Sequence, residues 1–289
     1  MQTETRFRII DGTLYVRDDS PYAHDIKVHD LGHGHTEAIV MPRYGWSERA
    51  ALSAVALKDY QVAVALAAVE PLTETEQLDK LAANRERSTR RARTRVRRLA
   101  KSKGCTTLLT LTYRENMQDR DRMQRDLDVF LKRVRRAVPN FEYVCVFERQ
   151  KRGAWHAHLA VPRVLSHYVS GGKLVKSYDL LRSMWRAVVG GDNGNIDVSR
   201  NKRVGRSAAK LAVYLSKYIG KTFDQAEKHV NSYSASMGRL PKAITVTTPG
   251  GLADGIQGVF DLLGPEIDRS ELFSLLCDGG GFYLCLSPR

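Results

Sequence analysis

The sequence predicts an α+β fold in which an antiparallel sheet is covered by helices. Three observations support this fold class. Residues 105–113, "CTTLLTLTY", are rich in β-branched and apolar residues and too short for a typical helix, so they predict a buried strand. Residues 119–138 place apolar side chains at helical spacing, and Pro139 follows. "FEYVCVFE" and "AWHAHLAV" predict two further strands, joined by a tight turn at 151–153 that ends on a glycine.

The segments after this hairpin complete a known order of elements. Residues Ser177 to Val189 predict a second helix with Gly190 as its C-cap, and "NIDVS" predicts a short strand. The order strand, helix, strand, strand, helix, strand (βαββαβ) is the ferredoxin-like pattern. A third helix is predicted over about 207–221, and "AITVTT" predicts another strand.

These elements divide the chain into four parts. Residues 1–80 show no chemical signature and are interpreted as an N-terminal accessory region. Residues 81–104 predict a basic helix, residues 105–248 hold the sheet-and-helix domain, and residues 249–289 are expected to be a C-terminal tail.

The net charge indicates a polyanionic partner. The chain has 46 Lys and Arg against 32 Asp and Glu, a formal charge of +14, and cationic surfaces bind phosphate backbones by releasing counterions. The segment "RERSTRRARTRVRRLAKSK" (85–103) predicts a helix that follows phosphates, although a solvated helix or a flexible arm has the same composition. The candidate DNA contacts are Arg91, Arg95 and Arg98, with Lys151 and Arg152 in the hairpin turn.

The composition argues against secreted and membrane proteins. The four cysteines are scattered and form no Cys-x-x-Cys pair, so neither a zinc ribbon nor a disulfide framework is predicted. No apolar stretch approaches the roughly 20 residues of a membrane span, and the first residues lack a signal-peptide pattern. We therefore expect a soluble, cytoplasmic protein that does not bind membranes.

A candidate metal site lies on the predicted hairpin. Alternation along "WHAHL" places His156 and His158 on one face of a strand. With a turn at 151–153, Glu148 lies opposite His156 on the same face, which gives two nitrogens and one carboxylate. This set suits Mn²⁺ and accepts Mg²⁺, and it leaves coordination positions open for water or substrate.

Less specific explanations exist for each of these residues. The histidines could be a buried, hydrogen-bonded pair, and Glu148 could be a surface partner of Arg149 or Lys151. "LGHGH" repeats the spacing at His33 and His35, but its glycines predict a turn rather than a metal-binding strand.

The third predicted helix carries a candidate nucleophile. In "AVYLSKYIGK" the spacing places Tyr214, Lys217, Tyr218 and Lys221 on one stripe of the helix. Tyrosine, with a pKa of about 10, is a poor nucleophile at neutral pH, and a nearby lysine and metal ion favour its ionised form. The alternative is a stripe that packs on another helix or touches DNA.

Three segments together resemble the motifs of the HUH endonuclease superfamily, specifically its two-tyrosine rolling-circle replication initiators from phages and bacterial plasmids. "TLLTLTY" is similar to the first motif, "WHAHLAV" to the histidine motif and "YLSKYIGK" to the tyrosine motif. The resemblance covers roughly residues 81–248, with the 105–248 domain as the HUH endonuclease core. Ala157 is smaller than the apolar residue often found between the two histidines.

The resemblance implies a metal-dependent nick in single-stranded origin DNA. Tyrosine attack would form a 5′-phosphotyrosine and free a 3′-hydroxyl for a host polymerase, with a host helicase as a further partner in the bacterial cell. It also implies that Tyr214 and Tyr218 alternate with help from Lys217 and Lys221, whereas single-tyrosine relatives would use Tyr214 alone. The spacing leaves this choice open.

Two alternative functions remain at this level. An HUH transposase or relaxase would share the same site, although no helicase segment is recognisable in the chain. A non-catalytic ferredoxin-like module would bind nucleic acid by stacking bases on sheet aromatics, whereas the candidate sheet face here carries histidines and a carboxylate.

Overall fold

The computed structural model describes residues 6–69, 73–199, 207–225 and 232–288, which form an α+β protein of antiparallel sheets and six α-helices. The strands are β1 (Phe7–Ile10), β2 (Thr13–Asp30), β3 (Thr36–Ala51), β4 (Thr107–Tyr113), β5 (Val144–Arg149), β6 (Trp155–Val161), β7 (His167–Ser170), β8 (Lys173–Lys176), β9 (Gly194–Ser199), β10 (Tyr233–Ala235), β11 (Ile244–Pro249), β12 (Ser270–Cys277) and β13 (Gly281–Pro288). The helices are α1 (Ala54–Val69), α2 (Glu74–Ser102), α3 (Arg120–Ala137), α4 (Ser177–Val189), α5 (Ala208–Gln225) and α6 (Leu252–Leu263). None of the helices in these ranges combines the length and hydropathy that crossing a membrane requires.

The core sheet has the strand order β10-β5-β6-β4-β9 and is antiparallel throughout. The elements predicted between residues 105 and 221 are all present in the predicted order, and α4 has the predicted bounds with Gly190 at a positive φ of 92°. The short strand β10 and the β7–β8 hairpin were not predicted. Their patterns are too short to separate from loops by periodicity.

The two faces of the core sheet have different roles. Helices α3 and α4 cover one face with a large apolar cluster that includes Phe130, Phe147 and Trp185, all fully buried. The other face packs against α2 and α5, where Leu211, Leu215 and Ile219 meet the apolar side of α2. Polar residues of the core sheet that face α5 are therefore held between a sheet and a helix.

The outer sheet, with the strand order β1-β2-β3-β13-β12 and β11 paired to β2, joins both ends of the chain. The strand predicted at "AITVTT" exists as β11, but it pairs with β2 instead of extending the core. The segment 249–289, expected to be a tail, forms α6, β12 and β13 of this unit, and strands of the 1–80 region supply the rest. Pairings across more than 200 residues, such as Val28 with Ile244, leave no local pattern in a sequence.

Helix α2 is longer than the predicted basic helix. It begins after Thr73, whose side chain forms a capping box with Glu76. Burial starts only at Ala92, and Val96, Leu99 and Ala100 then pack against α5. The C-terminal part of α2 is therefore a structural layer of the core as well as a source of positive charge.

A buried ion network ties the outer sheet to α2. Glu37 of β3 has no solvent-exposed side-chain surface, and it binds Arg97, Arg98 and Lys101 of α2 at 2.9, 2.9 and 3.0 Å. Burial alone would raise the pKa of Glu37, but hydrogen bonds from Arg97 and Arg98 and the charges of Arg97 and Lys101 hold it well below its usual range. The network keeps cations of the helix desolvated, so each depends on the single carboxylate.

Replacing Glu37 with Gln should lower the free energy of unfolding at pH 7 by about 3 kcal/mol, because it leaves buried cations without their counter-charge. The folded-state pKa of Glu37 is depressed, so its contribution is complete above the unfolded value of about 4.3 and is lost as the pH falls further. The variant should therefore also show a weaker loss of stability below about pH 4 than the parent protein.

Urea unfolding across this pH range measures both effects. The matched control is Glu86→Gln, which removes an exposed pair with Arg90 on the same helix and should change the unfolding curve little. Equal losses in the two variants would show that the buried network does not hold the outer sheet to α2.

Candidate active site on the core sheet

The β5–β6 hairpin places the predicted metal ligands as the sequence indicated. Glu148 pairs directly with His156, and the turn closes with a hydrogen bond from the Gly153 N–H to the Gln150 carbonyl of 2.8 Å. Gly153 has a φ of 91°, a left-handed conformation that favours glycine. The expected register is therefore the observed one.

His158 is fixed by partners on both sides of its ring. Its Nε2 lies 2.9 Å from the Glu148 Oε2, and its Nδ1 lies 3.2 Å from the Thr110 hydroxyl on the neighbouring strand β4. Thr110 is the residue paired with His158 across β4 and β6, so its side chain shares the same face. Glu148 thus contacts the histidine pair, as the metal-site interpretation requires, and is not merely a partner of the turn cations.

His156 presents a buried nitrogen that lacks a protein partner. Its side chain is 8% exposed, and among the described residues no group hydrogen bonds to its buried Nε2. Its Nδ1 lies 3.2 Å from the Gln150 side-chain nitrogen. Burial, and then the neighbouring His158, lowers the pKa of His156 to about 4, so the ring is neutral at pH 7. A neutral imidazole with an unsatisfied buried nitrogen suits a metal ligand, because unpaired buried polar atoms are costly.

The three side chains are not drawn together into a closed metal-binding group. The two imidazole centroids are 6.4 Å apart, and no set of three His, Cys, Asp or Glu side chains within the described ranges is arranged to hold a metal ion. The contact between His158 and Glu148 occupies two of the candidate donor atoms. Binding of a cation would replace the proton that this pair shares.

Helix α5 brings the tyrosine pair directly onto this face. The Tyr218 ring stacks on His158 with centroids 4.4 Å apart and an interplanar angle of 15°. Its hydroxyl donates a hydrogen bond to the Tyr214 oxygen, and the two phenol rings meet edge to face at 5.1 Å. Two residues predicted from separate motifs are therefore in van der Waals contact.

The surroundings of Tyr218 disfavour its phenolate. Burial, the hydrogen bond to Tyr214 and the negative charge of Glu148 together raise the pKa of Tyr218 well above its ordinary value. Tyr218 is thus held in its protonated form as a hydrogen-bond donor. A cation near Glu148 would reverse part of this effect by neutralising the carboxylate.

The remaining predicted residues are distributed over the surface around the site. Lys217 is exposed on α5, and the Lys221 side chain lies outside the described part of the structure. Arg91 and Arg95 are exposed on α2, and Lys151 and Arg152 are exposed in the hairpin turn. Arg98 is different, because its guanidinium is committed to Glu37 in the buried network and is not available to DNA as expected.

The second histidine pair belongs to a turn, as its glycines predicted. Residues 31–35 connect β2 to β3, and His33 adopts a left-handed φ of 51°. His35 is buried and its Nδ1 lies 3.2 Å from the Ser287 hydroxyl. This pair has a structural role at the end of the outer sheet.

Sequence analysis missed two polar side chains of the site. Thr110 lies in a strand read only as apolar, and its role depends on the pairing of β4 with β6. Gln150 lies in the turn and reaches back to His156. Polar residues at alternate positions of a buried strand are the signal that could have identified Thr110.

Comparison with known proteins adds one relationship. Residues 106–223 match the family model of the replication-associated protein ORF2. This segment runs from β4 into α5 and contains Glu148, His156, His158, Tyr214 and Tyr218. The match associates the core with DNA replication and supports a replication initiator role that involves DNA. Searches of curated proteins and of solved structures returned no match.

The His156 ring should remain neutral in the metal-free protein until the pH approaches about 4, because burial and His158 both disfavour its protonated form. Histidine ring resonances followed by NMR, with His156→Gln used for assignment, measure this midpoint. Exposed His167 is an internal control that should titrate as an ordinary surface histidine. A midpoint near 6.5 for His156 would contradict the described environment.

Proposed function

We propose that this chain is a rolling-circle replication initiator that nicks and rejoins single-stranded origin DNA through a 5′-phosphotyrosine intermediate. The observation that carries the proposal is the stacking of Tyr218 on His158, with Tyr214 hydrogen bonded to Tyr218. This contact brings a candidate nucleophile pair onto the face that carries two histidines and a carboxylate. The family match over the same segment supports it.

The core topology is also consistent with an HUH endonuclease. The central strands run β5-β6-β4-β9 in an antiparallel sheet, with α3 and α4 inserted in the βαββαβ order and packed on one face. A ferredoxin-like sheet of this kind leaves its other face for the site. Helix α5 closes that face and carries the tyrosines.

His156, His158 and Glu148 are the residues that would hold a divalent cation, Mg²⁺ or Mn²⁺. The unsatisfied Nε2 of His156 and the imidazole–carboxylate contact of 2.9 Å support this assignment. When bound, the cation would polarise a phosphate and stabilise the charge that develops on it. Thr110 and Gln150 orient the two imidazoles through their Nδ1 atoms, a role that partners of metal-binding histidines commonly have.

In the proposed reaction a tyrosine oxygen forms a bond to phosphorus as the bond from phosphorus to the 3′ oxygen breaks. The phenol loses its proton, and the departing 3′ oxygen gains one to become a hydroxyl. The Tyr218 hydroxyl donates to the Tyr214 oxygen, which favours Tyr214 as the first nucleophile because a donated hydrogen bond stabilises developing negative charge. Lys217 and Lys221 are proposed to assist, and the reverse attack rejoins the strand.

The exposed cations around the site would hold the DNA strand. Arg91 and Arg95 lie on α2, and Lys151 and Arg152 lie in the turn that connects the two ligand-bearing strands. Such contacts position a backbone without reading its sequence. A host polymerase would extend the 3′-hydroxyl, with a host helicase unwinding the duplex, in the bacterial cytoplasm.

Replacing both Tyr214 and Tyr218 with Phe should abolish covalent protein–DNA adducts on a labelled single-stranded origin oligonucleotide with Mn²⁺, because no phenol oxygen remains to attack. Binding of the oligonucleotide should be largely unchanged. Denaturing gel electrophoresis detects the adduct, and peptide mapping of the parent protein identifies the linked tyrosine. Tyr168→Phe, which changes a tyrosine outside α5, is the control. Undiminished nicking by the double variant would rule out the mechanism.

His156→Ala should reduce Mn²⁺-dependent cleavage by about 10- to 100-fold or more, because it removes a proposed ligand of the cation. Isothermal titration with Mn²⁺ should show weaker binding in the same variant. His167→Ala removes an exposed histidine of β7 and should leave both measurements unchanged. Parent-like cleavage by His156→Ala at saturating Mn²⁺ would contradict the ligand assignment.

A further inference from the structure

The outer half of the outer sheet carries a face of aromatic rings and guanidinium groups. Arg8 lies over the Trp46 ring at 4.3 Å from its centroid and also over Tyr15 at 5.7 Å. Arg17 lies over the Tyr44 ring at 4.4 Å. Three strands contribute to this set, so it is a surface of the folded sheet rather than a local sequence motif.

Strand register places these side chains on one face. Arg8 pairs with Tyr15 across β1 and β2, and Arg17 pairs with Trp46 across β2 and β3. Directly paired residues share a face, and so do residues two apart on one strand. The same alternation adds Arg6 beside Arg8 and Glu48 beside Trp46. The aromatic face therefore consists of Arg6, Arg8, Tyr15, Arg17, Tyr44, Trp46 and Glu48.

None of the side chains in the aromatic face is buried. The three rings of Tyr15, Tyr44 and Trp46 are half-buried, and Arg6 and Arg8 are exposed. Three guanidinium groups stand against one carboxylate, and no ion pair formed within the described ranges involves Arg8. The surface is thus both cationic and aromatic, and it is open to a ligand.

This composition fits one class of partner. A base stacks on an aromatic or guanidinium plane, and the phosphates between bases are bound by cations. A guanidinium packed on a ring keeps its N–H donors at its edge for phosphate oxygens, and its long side chain is already ordered. A membrane or an apolar protein surface would not use this alternation of rings and charges.

We propose that the aromatic face is a binding surface for single-stranded DNA, separate from the candidate active site on the core sheet. It would bind the strand by stacking bases on Trp46, Tyr44 and Tyr15 and by pairing phosphates with Arg6, Arg8 and Arg17. Binding here requires neither the metal ligands nor the tyrosines of α5. The surface therefore gives the N-terminal region a function of its own.

The tryptophan content of the chain makes this surface directly observable. The chain has three tryptophans, and Trp155 and Trp185 are only 6% and 0% exposed in the core. Trp46 is accordingly the tryptophan that a ligand can reach. Titrating the full chain with oligo(dT) of about 20 nucleotides, in EDTA to prevent cleavage, should quench tryptophan emission as bases stack on Trp46.

Variants separate stacking from charge. Trp46→Phe should abolish the quenching while retaining most of the affinity, and Trp46→Ala should weaken binding measured by fluorescence anisotropy by about tenfold. Arg8→Gln with Arg17→Gln should weaken it by a similar factor and lower the salt dependence, since fewer counterions are released. Lys58→Gln on exposed α1 is the charge control, and Phe7→Ala on the opposite face of β1 is the packing control. Circular dichroism establishes that each variant is folded.

Emission of Trp46 that is unchanged at saturating oligonucleotide would overturn the proposal. Equal quenching by inorganic polyphosphate would overturn it as well, because charge alone would then explain the binding. The outcome is independent of the proposed nicking activity. Loss of adducts with retained quenching would refute only the nicking activity, and adduct formation without quenching would refute only the aromatic face.

Discussion

The candidate site depends on the pairing register of β5 and β6. Side chains alternate along a strand, so a slip of one residue would turn Glu148 away from His156, towards the apolar face under α3 and α4. Gly153 fixes the register because it adopts the left-handed conformation that closes the turn. Pairing of β4 with β6 then sets Thr110 beside His158. One hairpin thus determines the positions of the imidazoles, the carboxylate and their hydrogen-bond partners.

The tyrosines reach this face through packing rather than through the sheet. Helix α5 is held between α2 and the core sheet by its apolar side, and this contact sets the ring of Tyr218 against His158. Helix α2 is in turn anchored to the outer sheet by Glu37. The position of the proposed nucleophile therefore depends on strands at both ends of the chain, because the same helix contacts both units.

Without a cation, the site is arranged to carry little charge. His156 is neutral because of burial, and Tyr218 is held protonated by burial and by Tyr214. His158 and Glu148 share a hydrogen bond. In such an environment an added divalent charge acts strongly, because little water is present to screen it. This arrangement is consistent with chemistry that begins only when a cation and a polyanionic strand enter together.

The sequence by itself determined the local elements of the core and the residue types of the candidate site. Periodicity identified β4, α3, α4 and α5, and alternation together with Gly153 predicted that Glu148 and the histidines share a face, because these patterns act over a few residues. Only the tertiary structure decided that Tyr218 stacks on His158, that Arg98 is committed to Glu37, and that the two ends of the chain form one sheet. These contacts join residues about 60 to more than 200 positions apart. No spacing rule reaches that far, since such contacts depend on how whole elements pack.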